Sequence, residues 1–318
     1  MRRLVAGFLA LLCACVAARA ESVIVPGAVP SAGLEGSFPF LAYLPDGYAA
    51  GTTKYPVVYL LHGAGGDEAS WLTEGHAKVT LDQLIARGAI PPVIVVMPGC
   101  RGCWWVDGPS QKAETAFWAD LVPEVERRFR ASGSREGRFL AGLSAGGYGA
   151  VRYAMRYPDR VAAVAALSPA VYADTPPAIS SARVQPPFRK PDGSFDEAAW
   201  KQKNYTSCID DYFKQRDRVA FYLMSGDDDR YGIAFETMQL FRRLRERQPG
   251  LAELRIVDGD HSWSVWSMAL ETALPFLLKH GQPPQQEARA AAAGPNPVTA
   301  GQPLLAQTGS AAITRAPF

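Results

Sequence analysis

Residues 142–146 read Gly-Leu-Ser-Ala-Gly, with the apolar run Phe139–Leu143 before the serine and a helical pattern after it. A serine at such a strand-to-helix bend is a nucleophile elbow: the turn is strained, small residues two before and two after let strand and helix approach, and the hydroxyl faces a cleft. The chemistry it suits is attack on a carbonyl. At its free pKa a serine hydroxyl is a weak nucleophile, so Ser144 needs a base, an acid to orient that base, and donors for the oxyanion. Glycine and serine often cluster in turns, and it is the strand-turn-helix context that sets Ser144 apart.

The chain has four histidines. His62 opens a glycine-rich loop, His76 lies in a polar stretch before a helix, and His280 falls at the end of the patterned region. His261, in Asp258-Gly259-Asp260-His261-Ser262-Trp263, follows the last strand-like run and fits the expected chain order of Ser, Asp/Glu, His. The acid belongs between them. Ser225-Gly226-Asp227-Asp228-Asp229-Arg230 supplies three carboxylates; because they repel one another, one turns to the imidazole while the others face solvent or bind Arg230. We assign Asp229, with Asp227 as second choice; Asp260 shares the loop of the base and would point elsewhere. Two backbone N–H groups complete the set as oxyanion donors, Ala145 directly after the nucleophile and Ala64 in His62-Gly63-Ala64.

Other chemistries are less well supplied. The glycines after His62 would suit a phosphate cradle, but no Gly-Lys-Ser/Thr follows, which excludes a nucleotide P-loop. No ligand cluster for a metal is legible, and the chemistry above requires no cofactor. Cys100-Arg101-Gly102-Cys103 raises redox and zinc readings. A structural zinc lacks its second ligand pair, and Trp104-Trp105 is unlike the helix start that activates a redox thiol. A structural disulfide, within this loop or from it to Cys208, is the better expectation, with one thiol to spare.

Positioning these groups requires a particular set of elements. Val57–Leu61, Val93–Met97, Phe139–Leu143, Val161–Leu167, Val219–Met224 and Leu254–Val257 are apolar runs, each ending in one of the loops named above or in a similar turn. Near-continuous apolar strands suit a parallel sheet covered on both faces. Between them lie helical patterns: one opened by a capping box at Thr80-Leu81-Asp82-Gln83 and stopped at Gly88, one through Phe117, Leu121, Val125 and Phe129 that Pro123 kinks or restarts, Ser144–Tyr157, and Phe235–Arg247 with Met238, Phe241 and Leu244 on one face. The fold class expected is α/β, a doubly wound, mostly parallel sheet with helices on both faces, whose ligands bind at the carboxyl ends of the strands. Residues 173–205 are rich in proline and charge and break the alternation; they read as an insertion crossing above the sheet, a partial lid or a plain surface loop.

The ends bound the domain. Residues 1–20 (MRRLVAGFLALLCACVAARA) read as an export signal removed before Glu21, implying a secreted or periplasmic protein. Its apolar stretch is short of the ~20 residues of a spanning helix, so stable membrane insertion is not expected. Leu12-Cys13-Ala14-Cys15 loosely resembles a lipoprotein site, a variant that would anchor the chain at Cys15. Loss of Arg2, Arg3 and Arg19 leaves 30 Lys+Arg against 31 Asp+Glu, a balance that suggests neither nucleic acid nor an anionic membrane as partner. Residues 21–280 suffice for one large domain, and residues 281–318, rich in Ala, Gly, Pro and Gln, read as a flexible low-complexity tail.

The ordered set Tyr43-Leu44-Pro45-Asp46-Gly47-Tyr48, Tyr55–Gly63, Val95-Val96-Met97-Pro98, Ala141–Ala150 and Gly259-Asp260-His261-Ser262-Trp263 with Trp266 resembles the esterase family of α/β-hydrolases. That family includes secreted feruloyl and acetylxylan esterases, formylglutathione hydrolases, enterochelin esterases and secreted mycolyltransferases, and the resemblance runs from about Phe38 to Leu278. It implies Ser144 as nucleophile and His261 as base, and the small-Gly-x-x-Asp pattern of feruloyl-esterase-like members places the acid at Asp229. Two positions depart from many members: Ala145, where methionine is common, and Gly99, where aspartate follows Met-Pro. The resemblance implies a serine carboxylesterase acting on an extracellular ester such as a feruloyl or acetyl group on polysaccharide. Acyl transfer to a sugar or lipid acceptor and a secreted non-catalytic binding protein are the alternatives. Trp104, Trp105, Trp263 and Trp266 are candidates for an aromatic wall, with core packing favoured for Trp263 and Trp266.

Overall fold

In a computed structural model of the chain, residues 21–34 and 36–281 are described. The export signal with its Cys15 variant, and the tail from residue 282 onward, lie outside the described residues.

Strands β1 (Val23–Ser31), β2 (Gly36–Leu44), β3 (Val57–Leu61), β4 (Ile94–Pro98), β5 (Arg138–Leu143), β6 (Ala163–Leu167), β7 (Ala220–Gly226) and β8 (Ala252–Val257) form one sheet in the order β1-β2-β4-β3-β5-β6-β7-β8. β2 pairs antiparallel with β1 and with β4; every pairing from β4 to β8 is parallel. The antiparallel pair was not visible in the apolar runs, because β1 is largely exposed or half-buried and carries Pro26 and Pro30, which an edge strand tolerates.

β3 to β7 are buried throughout, and successive side chains feed opposite cores. Val57, Tyr59 and Leu61 enter one, Val58 and Leu60 the other. The helices are α1 (Ser70–Thr73), α2 (Ala77–Ala86), α3 (Ala113–Ala116), α4 (Val122–Arg128), α5 (Ala145–Arg156), α6 (Glu197–Lys203), α7 (Ile209–Tyr212), α8 (Ile233–Arg247) and α9 (Trp263–Lys279). α4, α5 and α8 pack into the first core through Val125, Val151 and Leu240, while α2 and α9 pack into the second through Leu81 and Leu274. This is the doubly wound arrangement expected.

After β3 the chain moves outward to β4, then returns past β3 to β5 and continues the other way. The strand order therefore reverses between β3 and β5, where Leu61 lies beside Gly142. Ligand clefts in such sheets open at this switch point, outside the strand carboxyl ends. His62 and Ser144 are the next residues on these strands.

Two of three local expectations fail. α2 begins at Ala77, not at the Thr80–Gln83 box, and Asp82 instead accepts hydrogen bonds from Ser22, Tyr43 and Lys78. Pro123 does restart its helix: a π-helical turn, Phe117–Leu121, separates α3 from α4, which begins at Val122 with Pro123 in its first turn, where its missing N–H costs no helical hydrogen bond. On α8 the buried stripe is Thr237, Leu240 and Leu244, whereas Met238 and Phe235 are exposed.

Candidate active site

Ser144 lies at the end of β5 with φ 52° and ψ −115°, a conformation that costs a non-glycine residue on the order of 1–3 kcal/mol. Its surroundings hold it there. The Ser144 N–H donates to Leu167 O at 2.9 Å, and its carbonyl accepts from Tyr148 and Ala170 N–H at 2.9 and 3.1 Å. A Cβ on Gly142 would lie 2.5 Å from the Gly146 backbone, and one on Gly146 would collide with the carbonyls of Leu61 and His62. The small residues of the motif are thus demanded by backbone approach.

The structure brings Ser144, His261 and Asp229 together. Ser144 Oγ lies 2.9 Å from His261 Nε2, and His261 Nδ1 lies 2.6 Å from Asp229 Oδ2. With a carboxylate facing it, Nδ1 carries the ring proton and Nε2 is free to accept from the serine hydroxyl. Asp229 is buried and its Oδ1 also accepts from the Tyr231 N–H at 3.0 Å. The turns after β7 and β8 are joined backbone to backbone: Asp227 N–H donates to Val257 O and Asp228 N–H to Gly259 O, both at 2.9 Å. A Cβ on Gly226 would collide with the Gly259 carbonyl. The imidazole is held between Tyr231 and Trp266, at centroid distances of 4.8 and 4.9 Å, and the Trp266 indole donates to Ser168 Oγ at 3.1 Å.

Asp227 and Asp228 face solvent, and Asp260 is exposed. Arg230 binds neither neighbour's carboxylate but lies over the Tyr231 ring, 5.0 Å from its centroid. Asp227, Asp228 and Asp258 bring carboxylate oxygens within 4.8 Å of one another, a cluster the sequence did not disclose. Its members are exposed, and Asp227 Oδ1 is taken by the N–H groups of Asp228 and Gly259.

On the opposite flank, the loop after β3 presents Gly63 to Gly66 to the same cleft. Neither the Ala64 nor the Ala145 N–H donates a hydrogen bond to any of the described residues. His62 does not enter the cleft. It is 1% exposed, Nδ1 lies 2.7 Å from Gly63 O, and Nε2 accepts from the Cys100 N–H at 3.0 Å. Burial holds its pKa below the ordinary histidine range, and an Nε2 that accepts from the Cys100 N–H belongs to a neutral ring.

The cleft, about 650 Å³, is lined by Ser144 and His261 together with Trp104, Tyr172, Tyr231, Trp263 and Trp266 as its aromatic part and Asp67, Ser70, Thr73 and Glu74 as its polar part. Trp105 is not part of this wall: it is fully buried, with its ring 4.9 Å from His62. Trp263 and Trp266 line the cleft and also pack on each other, and Trp263 packs on Trp71 as well. Residues 173–205 cross beside the cleft and pack on the domain. Ser180 and Ser181 border the cleft, while Tyr148 Oη and Arg152 Nη1 both donate to Lys203 O and Trp200 stacks on Tyr148. Of the two disulfide pairings, the bond is Cys100–Cys103, and Cys208 is free. At Gly99, a Cβ would collide with the Glu68 carboxylate.

A serine at a strained elbow, hydrogen-bonded through a histidine to a buried aspartate at the switch point of this sheet, defines a protein of the α/β-hydrolase class. The family described as "Putative esterase" matches residues 31–277, and the chain belongs to that family. An esterase of Mycobacterium tuberculosis is 37% identical over 122 residues, which cover 36% of this chain and 25% of that protein. An endo-1,4-beta-xylanase/feruloyl esterase of Xylanibacter ruminicola is 34% identical over 130 residues, covering 37% of this chain and 17% of that one. The chain thus spans about a quarter or less of the length of these relatives. A solved ferulic acid esterase superposes with a TM-score of 0.69 at 29% identity, covering 82% of this chain and 98% of the other.

His62, Trp105, Tyr231 and Ser168 were not assigned these supporting roles from sequence. Only the His-Gly step after β3 marks one of them, and it looks the same whether the histidine faces the cleft or turns away.

Proposed function

We propose that this protein is an exported serine carboxylesterase. Ser144 attacks the ester carbonyl as His261 Nε2 takes its proton, and the N–H groups of Ala64 and Ala145 receive the developing oxyanion. His261 then returns the proton to the leaving alcohol, and Asp229 orients and stabilises the imidazolium. A water activated by the same imidazole hydrolyses the acyl-enzyme. The observation that carries this reading is the 2.9 and 2.6 Å chain from Ser144 through His261 to Asp229 at the wall of the cleft.

The substrate class we infer is a feruloyl or acetyl ester of polysaccharide. The aromatic part of the cleft suits a flat aryl acyl group, and likeness to feruloyl esterases supports the choice. Export rests on the residue 1–20 pattern. The test is hydrolysis of short-chain p-nitrophenyl esters and methyl ferulate by purified residues 21–318, beside Ser144→Ala. Turnover by the unmodified chain alone is the expected result, with methyl ferulate preferred; equal rates for the two proteins would remove Ser144 from the mechanism.

A further inference from the structure

Resting on the esterase reading, we propose that the Cys100–Cys103 disulfide loop is a positioning element of the oxyanion site. It clamps His62 at both ends, and His62 fixes the plane of the peptide that carries the Ala64 N–H.

In a trans peptide the C=O of one residue and the N–H of the next point in opposite directions. Gly63 O is held from one side by two donors, His62 Nδ1–H at 2.7 Å and Gly66 N–H at 3.1 Å. The Ala64 N–H is therefore turned the other way, and Ala64 lines the cleft with Ser144. In a neutral ring, donation from Nδ1 leaves Nε2 as the acceptor, and the donor that Nε2 meets is the Cys100 N–H at 3.0 Å. Without that N–H, a dry interior would hold an unsatisfied ring nitrogen, and the bond to Gly63 O would compete with other ring orientations.

The second clamp is Trp105. Its indole N–H donates to His62 O at 3.0 Å and its ring packs against the imidazole. Trp105 has φ 56°, a left-handed conformation that a bulky residue keeps only where its surroundings over-determine it. The disulfide closes the turn between these clamps, with the Cys103 N–H on Cys100 O at 3.2 Å and both cysteines buried. The Cys-x-x-Cys-Trp-Trp run, which neither the redox nor the zinc reading absorbed, thus has a physical role. Trp104 goes to the cleft wall; Cys100 and Trp105 go to His62.

The experiment compares the unmodified protein with Cys100→Ser/Cys103→Ser, Trp105→Phe and Cys208→Ser, measuring kcat and KM on methyl ferulate and inhibition by a trifluoromethyl ketone, whose adduct with Ser144 places an oxyanion between the donors. The double variant is expected to lose about 10-fold in kcat with KM within about 2-fold, and to lose inhibitor affinity by the same factor as kcat. Trp105→Phe keeps a ring and deletes one N–H, and should show the same pattern at about 3-fold. It carries the test if the double variant does not fold. Cys208→Ser removes a cysteine from another part of the chain and should match the unmodified protein. Unchanged kcat in folded variants beside an active parent would overturn the proposal alone, as would a rise in KM with inhibitor affinity retained. Absence of ester turnover by the parent would overturn the esterase reading and this proposal together.

Discussion

The two flanks of Ser144 are built in different ways. On one, the turns after β7 and β8 deliver side chains, Asp229 and His261, joined to each other at 2.6 Å and held by contacts between the turns. On the other, the stretch His62–Gly66 after β3 presents backbone, and its one large side chain, His62, is turned inward to aim a peptide. A side-chain group is set by residue type and can be deleted by one substitution. A backbone donor is set by orientation and survives any substitution that leaves its peptide plane in place. The first flank should therefore fail abruptly under mutation, and the second by degrees.

The largest effects belong to the side-chain flank. Ser144→Ala should lower kcat by about 10⁴-fold or more, leaving only what binding and the backbone donors supply. Asp229→Asn should cost about 10²- to 10⁴-fold, because an amide facing Nδ1 no longer selects the tautomer that leaves Nε2 free to accept. Asp227→Asn, two residues away and solvent-facing, should stay within about 3-fold, in the range of surface changes. Steady-state kinetics on a p-nitrophenyl ester measures all three, and a large loss for Asp227→Asn beside a small one for Asp229→Asn would reverse the assignment of the acid.

The same contrast governs what could be read from the sequence. Ser144, Asp229 and His261 were singled out because chain order, residue type and the loops after apolar runs restrict the choices, and all three lie within hydrogen-bond reach. The core strands were legible because burial on both faces writes itself as unbroken apolar runs. β1 was not, because an edge strand is held by backbone pairing and tolerates its Pro26 and Pro30, and in β2, paired on both sides, Pro39 interrupts the run. Thr80–Gln83 matched the letters of a capping box, but tertiary bonds to Asp82 and a start at Ala77 decided otherwise. Trp105 carried the same letter as Trp104, and only the backbone turn between them sends one to the cleft and the other to His62.

An intermediate effect tests how closely the flanks are coupled through the elbow. Gly146 lies against the carbonyls of Leu61 and His62, so Gly146→Ala forces α5 away from the loop after β3. Overpacking of this kind costs about 1–3 kcal/mol of stability, and a shift between Ser144 and the Ala64 N–H should lower kcat by about 10- to 100-fold with little change in KM. Thermal melting and kinetics on one preparation check both. A stability loss without a kcat loss would show that the backbone flank does not need this contact.

The smallest effect probes whether His62 is as dry and neutral as the backbone flank requires. Burial lowers its pKa in the folded protein, so as pH falls below the ordinary histidine value of about 6.5 the unfolded chain takes up a proton that the folded chain excludes. The stability associated with this neutral ring is fully present above that value and is lost as pH falls below it, by at most about 1.4 kcal/mol per pH unit. Half-buried His280 is shifted the same way by burial and by Lys279, so the unmodified protein has at least two such sources. Asp82, lowered from 3.8, loses its contribution at more acid pH and does not enter this window. His62→Asn keeps an amide donor near Gly63 O but has nothing to titrate. Its melting temperature should be lower at pH 7.5 yet fall less between pH 7.5 and 5.0 than that of the unmodified chain. Parallel pH slopes for the two proteins would mean that His62 titrates alike folded and unfolded, and the inward-turned ring could then no longer explain why one flank of Ser144 is built from backbone alone.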